Sequence, residues 1–184
     1  AGGVGKTTLA HALAVSFTEF GKKTLLIDLD PAGALTFRLG FENPRTSIAD
    51  FLSGSKISDS NLVTTTERFD FIPSNSRISS AHEINIFSKF LETLPKEYDL
   101  VLLDTPSTID PRLVMALDVS DLILIPVSPN LHSIRGANQV RKIAPDKSIS
   151  GFKVEMRSDA NAWDESMEYL DALIPDSELV DSAL

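Results

Sequence analysis

The sequence predicts an α/β fold, a mainly parallel sheet with helices on both faces. Two observations carry this expectation. Short apolar runs alternate along the chain with segments of helical periodicity, the pattern of strands joined by crossover helices. The runs at Leu100–Leu103 and Leu122–Val127 are apolar throughout rather than alternating, as expected of strands covered on both faces.

Taken in order, strands are predicted at Thr24–Leu29, Phe69–Ile72, Leu100–Leu103, Leu122–Val127 and Ser150–Glu155. A helix over Thr7–Phe20 sets Leu9, Leu13, Phe17 and Phe20 on one stripe and stops at Gly21, a natural C-terminal cap. Ser80–Leu94 opens with Ser80 and Glu83 in capping-box spacing and would bury Ile84, Phe87, Leu91 and Leu94. Further helices are expected over Ser47–Leu52, Pro111–Leu117, Ser133–Ile143 and Ala162–Leu173.

The 184 residues, 42% of them hydrophobic, suffice for one domain with a real core. No stretch approaches the roughly 18 apolar residues of a membrane helix. The chain has no cysteine, which excludes a disulfide framework or a Cys zinc site and fits a cytoplasmic location. The net charge of −9 is unevenly spread. From Glu155 onward nine acids face the single base Arg157, so the remainder is nearly neutral and has room for a local basic patch.

Three motifs carry chemistry. The first is Gly2-Gly3-Val4-Gly5-Lys6-Thr7-Thr8, running directly into a helix. Glycines let backbone N–H groups curl around phosphate oxygens, and the helix N-terminus adds its dipole. Lys6 would reach the β- and γ-phosphates, and the Thr7 hydroxyl would ligate Mg²⁺. The second is Leu25-Leu26-Ile27-Asp28-Leu29-Asp30-Pro31, a buried strand ending in two carboxylates where α/β sheets bind ligands. The third is Leu100-Val101-Leu102-Leu103-Asp104, a Walker B pattern whose carboxylate holds Mg²⁺ through its water shell. Because a phosphate loop of this kind follows a strand, residues 1–184 are expected to be a single P-loop domain truncated at both ends, its first strand absent from this chain.

Together GGVGKTT, DLDPAGALT, YDLVLLDTPS and LILIPVSPN resemble the ParA/MinD family of deviant Walker A ATPases, closest to its ParA-like members. The resemblance implies an ATPase using ATP and Mg²⁺, with Lys6 on phosphate and Thr8 on the α-phosphate. It implies Thr7, Asp28 and Asp104 at the metal, and Asp30 positioning the attacking water. It also implies a homodimer formed on ATP, non-specific DNA as a partner and a ParB-like activator, in the cytoplasm. The family's signature lysine before the paired glycines is Ala1 here, and the Gln of its DPQG is Ala32. Lys153 and Arg157 are the candidates for a substitute cation, and no residue matches the family's base-contacting position. Rival readings are a MinD-like membrane-cycling ATPase, a non-hydrolysing nucleotide-binding scaffold, and a P-loop kinase or ligase.

Arg135, Arg141 and Lys142 fall on or near one predicted helix and suit either a DNA-facing edge or a solvated face. Trp163 is read as packing. His11, His82 and His132 lack metal-ligand spacing.

Overall fold

A computed structural model describes residues 3–55, 62–80, 84–95, 97–154 and 163–174. The described residues form two compact units, 7–116 in one and 3–6 with those from 117 onward in the other.

In the first unit the strands β1 (Thr24–Asp28), β2 (Val63–Thr64), β3 (Asp70–Ile72) and β4 (Leu100–Asp104) form one sheet in the order β2-β3-β1-β4. β1 runs parallel to both β3 and β4, and only the short β2 is antiparallel. Every residue of β1 is buried. Leu26 packs with Ala14, Leu35, Phe69 and Phe71, while Leu25 and Ile27, which alternate to the opposite face, are equally buried. Both faces of this central strand are therefore covered. β4 closes one edge of the sheet, and Leu100–Leu103 are half-buried rather than covered on both faces as their all-apolar run suggested.

Helix α1 (Lys6–Glu19) ends as predicted, with Gly21 N–H donating to Thr18 C=O and Lys22 N–H to Phe17 C=O, each at 2.9 Å. Its buried face differs from the predicted stripe. Of that stripe Leu9 is buried but Phe20 is 84% exposed, while Ala14 is buried in the Leu26 core with Ala10 and Val15 partly buried against it. Apolar residues surround this helix, so periodicity alone did not select the face.

Two short helices follow β1, α2 (Ala34–Arg38) and α3 (Ile48–Leu52). α2 and β2 were not foreseen. α3 begins with a reciprocal capping box between Ser47 and Asp50, and Arg77 clamps Asp50 with two bonds of 2.6 and 2.7 Å. The segment predicted to open a helix at Ser80 instead closes a 3-10 turn, Ser76–Ser80, and α4 spans Ile84–Glu92; Glu83 lies outside the described residues. Phe87 and Phe90 are the buried pair of α4, stacked near Phe51, rather than Leu91 and Leu94. At the start of the strands, buried Asp70 accepts from Thr64 Oγ1, Tyr98 Oη and Lys23 Nζ, tying β1, β2 and β3 together. α5 (Pro111–Val119) follows β4.

The second unit contains β5 (Leu122–Val127), α6 (Leu131–Ile143), β6 (Ser148–Val154) and β7 (Tyr169–Ile174), its strands parallel in the order β5-β6-β7. Asn130 caps α6 by accepting from Ser133 N–H at 2.9 Å. The helix predicted over Ala162–Leu173 is replaced by a turn around Asp164–Met167 and the strand β7. Met167 packs with Val127 and Ala137, and Tyr169 lies against Gly151 of β6, so pairing to a sheet edge overrides local helical preference.

Candidate functional site

The phosphate loop takes the backbone its glycines allow. Gly3 and Gly5 sit at φ 73° and 84°, a left-handed conformation that side chains rarely adopt. Lys6 opens the 14-residue helix α1, and Thr7 and Thr8 fall in its first turn, where N–H groups that lie outside the helical ladder and the helix dipole favour an anion. Ala1 and Gly2 lie outside the described residues.

The two strand-end carboxylates are brought level by the sheet. Asp28 and Asp104 are register partners at the ends of β1 and β4, and Leu29 N–H donates to the Asp104 carbonyl at 2.9 Å. Both side chains are buried, Asp28 completely and Asp104 to 2% exposure. Asp28 Oδ1 accepts from Asp30 N–H at 2.9 Å, and Oδ2 accepts from the backbone and hydroxyl of Thr36 at 3.0 and 2.7 Å. Burial pushes the Asp28 carboxyl up from 3.8 to about 6, against the opposing pull of these hydrogen bonds. Asp30 sits in the turn that follows, its Oδ1 accepting from Ala32 N–H and its carbonyl from Gly33 N–H, each at 2.9 Å.

Three residues that the motifs did not single out complete this unit. The Thr36 hydroxyl also accepts from Ser74 N–H at 2.8 Å, so a continuous chain Asp28–Thr36–Ser74 ties β1, α2 and the segment after β3. Arg38, the last residue of α2, reaches back to α1 and donates from Nη1 to Thr8 Oγ1 at 3.1 Å. A cavity of about 350 Å³ adjoins this cluster, bounded by Gly33, Phe37, Phe41, Pro44, Ser74 and Ser76. In the sequence Thr36 shows only as the last residue of the DLDPAGALT stretch, with nothing to mark its role; Arg38 and Ser74 leave no trace.

A divalent ion fits the donor set expected for it. Thr7, Asp28 and Asp104 offer hard oxygen donors of the kind Mg²⁺ takes, alongside phosphate oxygens and water. Among the described residues no three His, Cys, Asp or Glu side chains gather into a protein-only metal site.

The remaining sequence candidates are placed as follows. Arg141 donates to Asn138, to Ser166 Oγ and to the Ser166 carbonyl, fastening α6 to the following turn, while Arg135 and Lys142 are exposed. Lys153 Nζ lies 5.6 Å from the Trp163 ring and 5.2 Å from the Tyr169 ring, a cation–π arrangement. Trp163 packs edge-on against Tyr169, as its packing role predicted. Arg157 and His82 fall outside the described residues.

Comparison with known proteins matches residues 1–148 to a family model described as an AAA domain. The chain is 29% identical over 153 residues to the sporulation initiation inhibitor protein Soj of Bacillus subtilis, covering 76% of this chain and 59% of that one. It is 34% identical over 138 residues to the chromosome-partitioning ATPase Soj of Thermus thermophilus, covering 73% of this chain and 54% of that one. This chain thus spans between half and two thirds of the length of these relatives. Among solved structures, cobyrinic acid a,c-diamide synthase of Mycobacterium smegmatis, with bound ATP analogue and magnesium, superposes with a TM-score of 0.74 at 25% identity, covering 87% of this chain and 74% of that one.

Proposed function

We propose, from the premise that this chain belongs to the ParA/MinD family of P-loop ATPases, that it is the nucleotide-binding core of a ParA-type ATPase. Its output would be a change of binding partner with nucleotide state, used to partition DNA or to position intracellular cargo. The observation that carries this reading is the level pairing of Asp28 with Asp104, with Asp30 in the next turn. The phosphate-loop sequence opening α1 completes the set. The family match runs across residues 1–148 and so includes parts of both compact units, which supports reading the chain as one ATPase domain.

In this reading the glycine loop and Lys6 bind the phosphates of ATP, and Thr7 and Asp104 hold Mg²⁺, directly or through its water shell. When bound, Mg²⁺ neutralises charge on the phosphoryl oxygens. Asp28 supports the metal side of the site, its carboxylate also fixing the turn that presents Asp30. Asp30 orients a water for in-line attack on the γ-phosphate, and Lys6 with the loop N–H groups stabilises the charge that develops. A homodimer on ATP, a ParB-like activator, non-specific DNA and a cytoplasmic location belong to the same proposal, whose partitioning role is supported by the chromosome-partitioning ATPase among the relatives.

Titration with a fluorescent ATP analogue and Mg²⁺ tests the site. Lys6→Ala is expected to lose most of the affinity, and unchanged binding would overturn the assignment. Sizing with and without ATP tests the switch, and a protein that hydrolyses ATP but stays monomeric would remove the ParA-type part of the reading.

A further inference from the structure

We infer that Arg38 is a nucleotide-contacting residue, its guanidinium binding the phosphate chain beside Thr8. This rests on reading the phosphate loop as a nucleotide site and adds to it a residue from outside the loop.

Geometry is the first argument. Arg38 Nη1 donates to Thr8 Oγ1 at 3.1 Å, which brings the guanidinium to the first turn of α1 from 30 positions away in sequence. A threonine hydroxyl has one proton and two lone pairs. With Arg38 donating into a lone pair, the hydroxyl proton is directed to another acceptor. Guanidinium and hydroxyl then present donors side by side, and a phosphate oxygen that reaches one is within reach of the other. The planar fork of arginine suits such an oxygen pair better than any other side chain.

Charge is the second. Arg38 is half-buried, and among the described residues no carboxylate lies within ion-pair distance of it. A half-buried cation whose protein contact is a neutral hydroxyl retains most of its attraction for an anion.

Anchorage is the third. Arg38 ends the same short helix that Thr36 fastens to Asp28 and Ser74. The backbone that carries the guanidinium is therefore held to the strand end that bears the site's carboxylates. Preorganised donors cost less to recruit than mobile ones.

The test uses the whole chain with fluorescent ADP and ATP analogues and Mg²⁺. Arg38→Ala is expected to weaken both nucleotides by about ten- to a hundredfold, the size of a lost charged hydrogen bond. Arg38→Lys should recover part of the loss, and the nucleotide-free melting temperature should stay close to that of the unchanged protein in both variants. Binding by Arg38→Ala within twofold of the unchanged protein would overturn the inference. So would a loss of affinity that only follows a fall in nucleotide-free melting temperature and is not relieved by lysine. If the unchanged protein binds neither analogue, the nucleotide-site reading fails, and that failure is visible before any Arg38 variant is measured.

Discussion

Replacing Thr36 by valine keeps the shape of the side chain and removes one oxygen, which makes it a sharp probe of the strand-end cluster. That oxygen donates to Asp28 at 2.7 Å and accepts from Ser74 N–H at 2.8 Å, and all three residues are at least 97% buried. Losing the bond to a carboxylate costs about 1.5–3 kcal/mol, and leaving the Ser74 amide unpaired costs about 1–3 kcal/mol more. The added methyl group returns roughly 0.8 kcal/mol. Net destabilisation is therefore about 2–5 kcal/mol, a large part of an ordinary stability of about 5–15 kcal/mol. Urea denaturation followed by far-UV circular dichroism measures it. Thr36→Ser is the control, since it retains the hydroxyl and should lose no more than about 1 kcal/mol. A valine variant within about 1 kcal/mol of the unchanged protein would refute the reasoning that this hydroxyl joins the three segments.

Acidification should reveal Asp28. Its folded value of about 6 lies above the ordinary 3.8, so between those values the folded chain binds protons more tightly. Stability should then rise as pH falls from about 6 to about 4, by about 3 kcal/mol from this group. Asp50 and Asp70, held low chiefly by Arg77 on the first and by Thr64, Tyr98 and Lys23 on the second, act oppositely, and their contributions are lost only below about pH 4. Denaturation curves at pH 7 and pH 4.5 check this, and a flat profile for the unchanged protein would count against a buried ionised Asp28. Asp30→Ala is expected to bind ATP normally but release phosphate slowly and accumulate dimer, read by phosphate release with sizing. Gly151→Ala places a methyl 2.6 Å from the Tyr169 ring and 2.7 Å from Met167 sulfur, so it should cost about 1–3 kcal/mol. Emission from Trp163, the only tryptophan and a neighbour of Tyr169, should shift with it.

What the sequence disclosed is what local pattern encodes. Apolar runs ending in aspartate placed Asp28 and Asp104 correctly at strand ends, and the glycine loop announced the start of α1. The residues that organise the site from outside the motifs were hidden for definite reasons. Helix α2 spans five residues, too few to show a period, so Thr36 and Arg38 had no element to belong to. Their partners lie 8 to 38 positions away, a distance that no local pattern spans. Errors arose where apolar residues were too plentiful to choose a face, as on α1, or where a sheet edge claimed a helix-compatible segment, as at β7. Lys153, a candidate for the substitute cation, lies over two aromatic rings, neighbours that its place in the sequence did not announce.

The chain Asp28–Thr36–Ser74 has a consequence for the timing of motion. Amides in connecting segments usually exchange their hydrogens with water rapidly, because little holds them. Here Thr36 N–H and Ser74 N–H are buried and bonded to side-chain oxygens, one directly to Asp28 and the other through the Thr36 hydroxyl. Neither can open without disturbing the same hydroxyl–carboxylate contact. The two amides should therefore exchange slowly and at matched rates, giving two segments outside the sheet the persistence of a core strand.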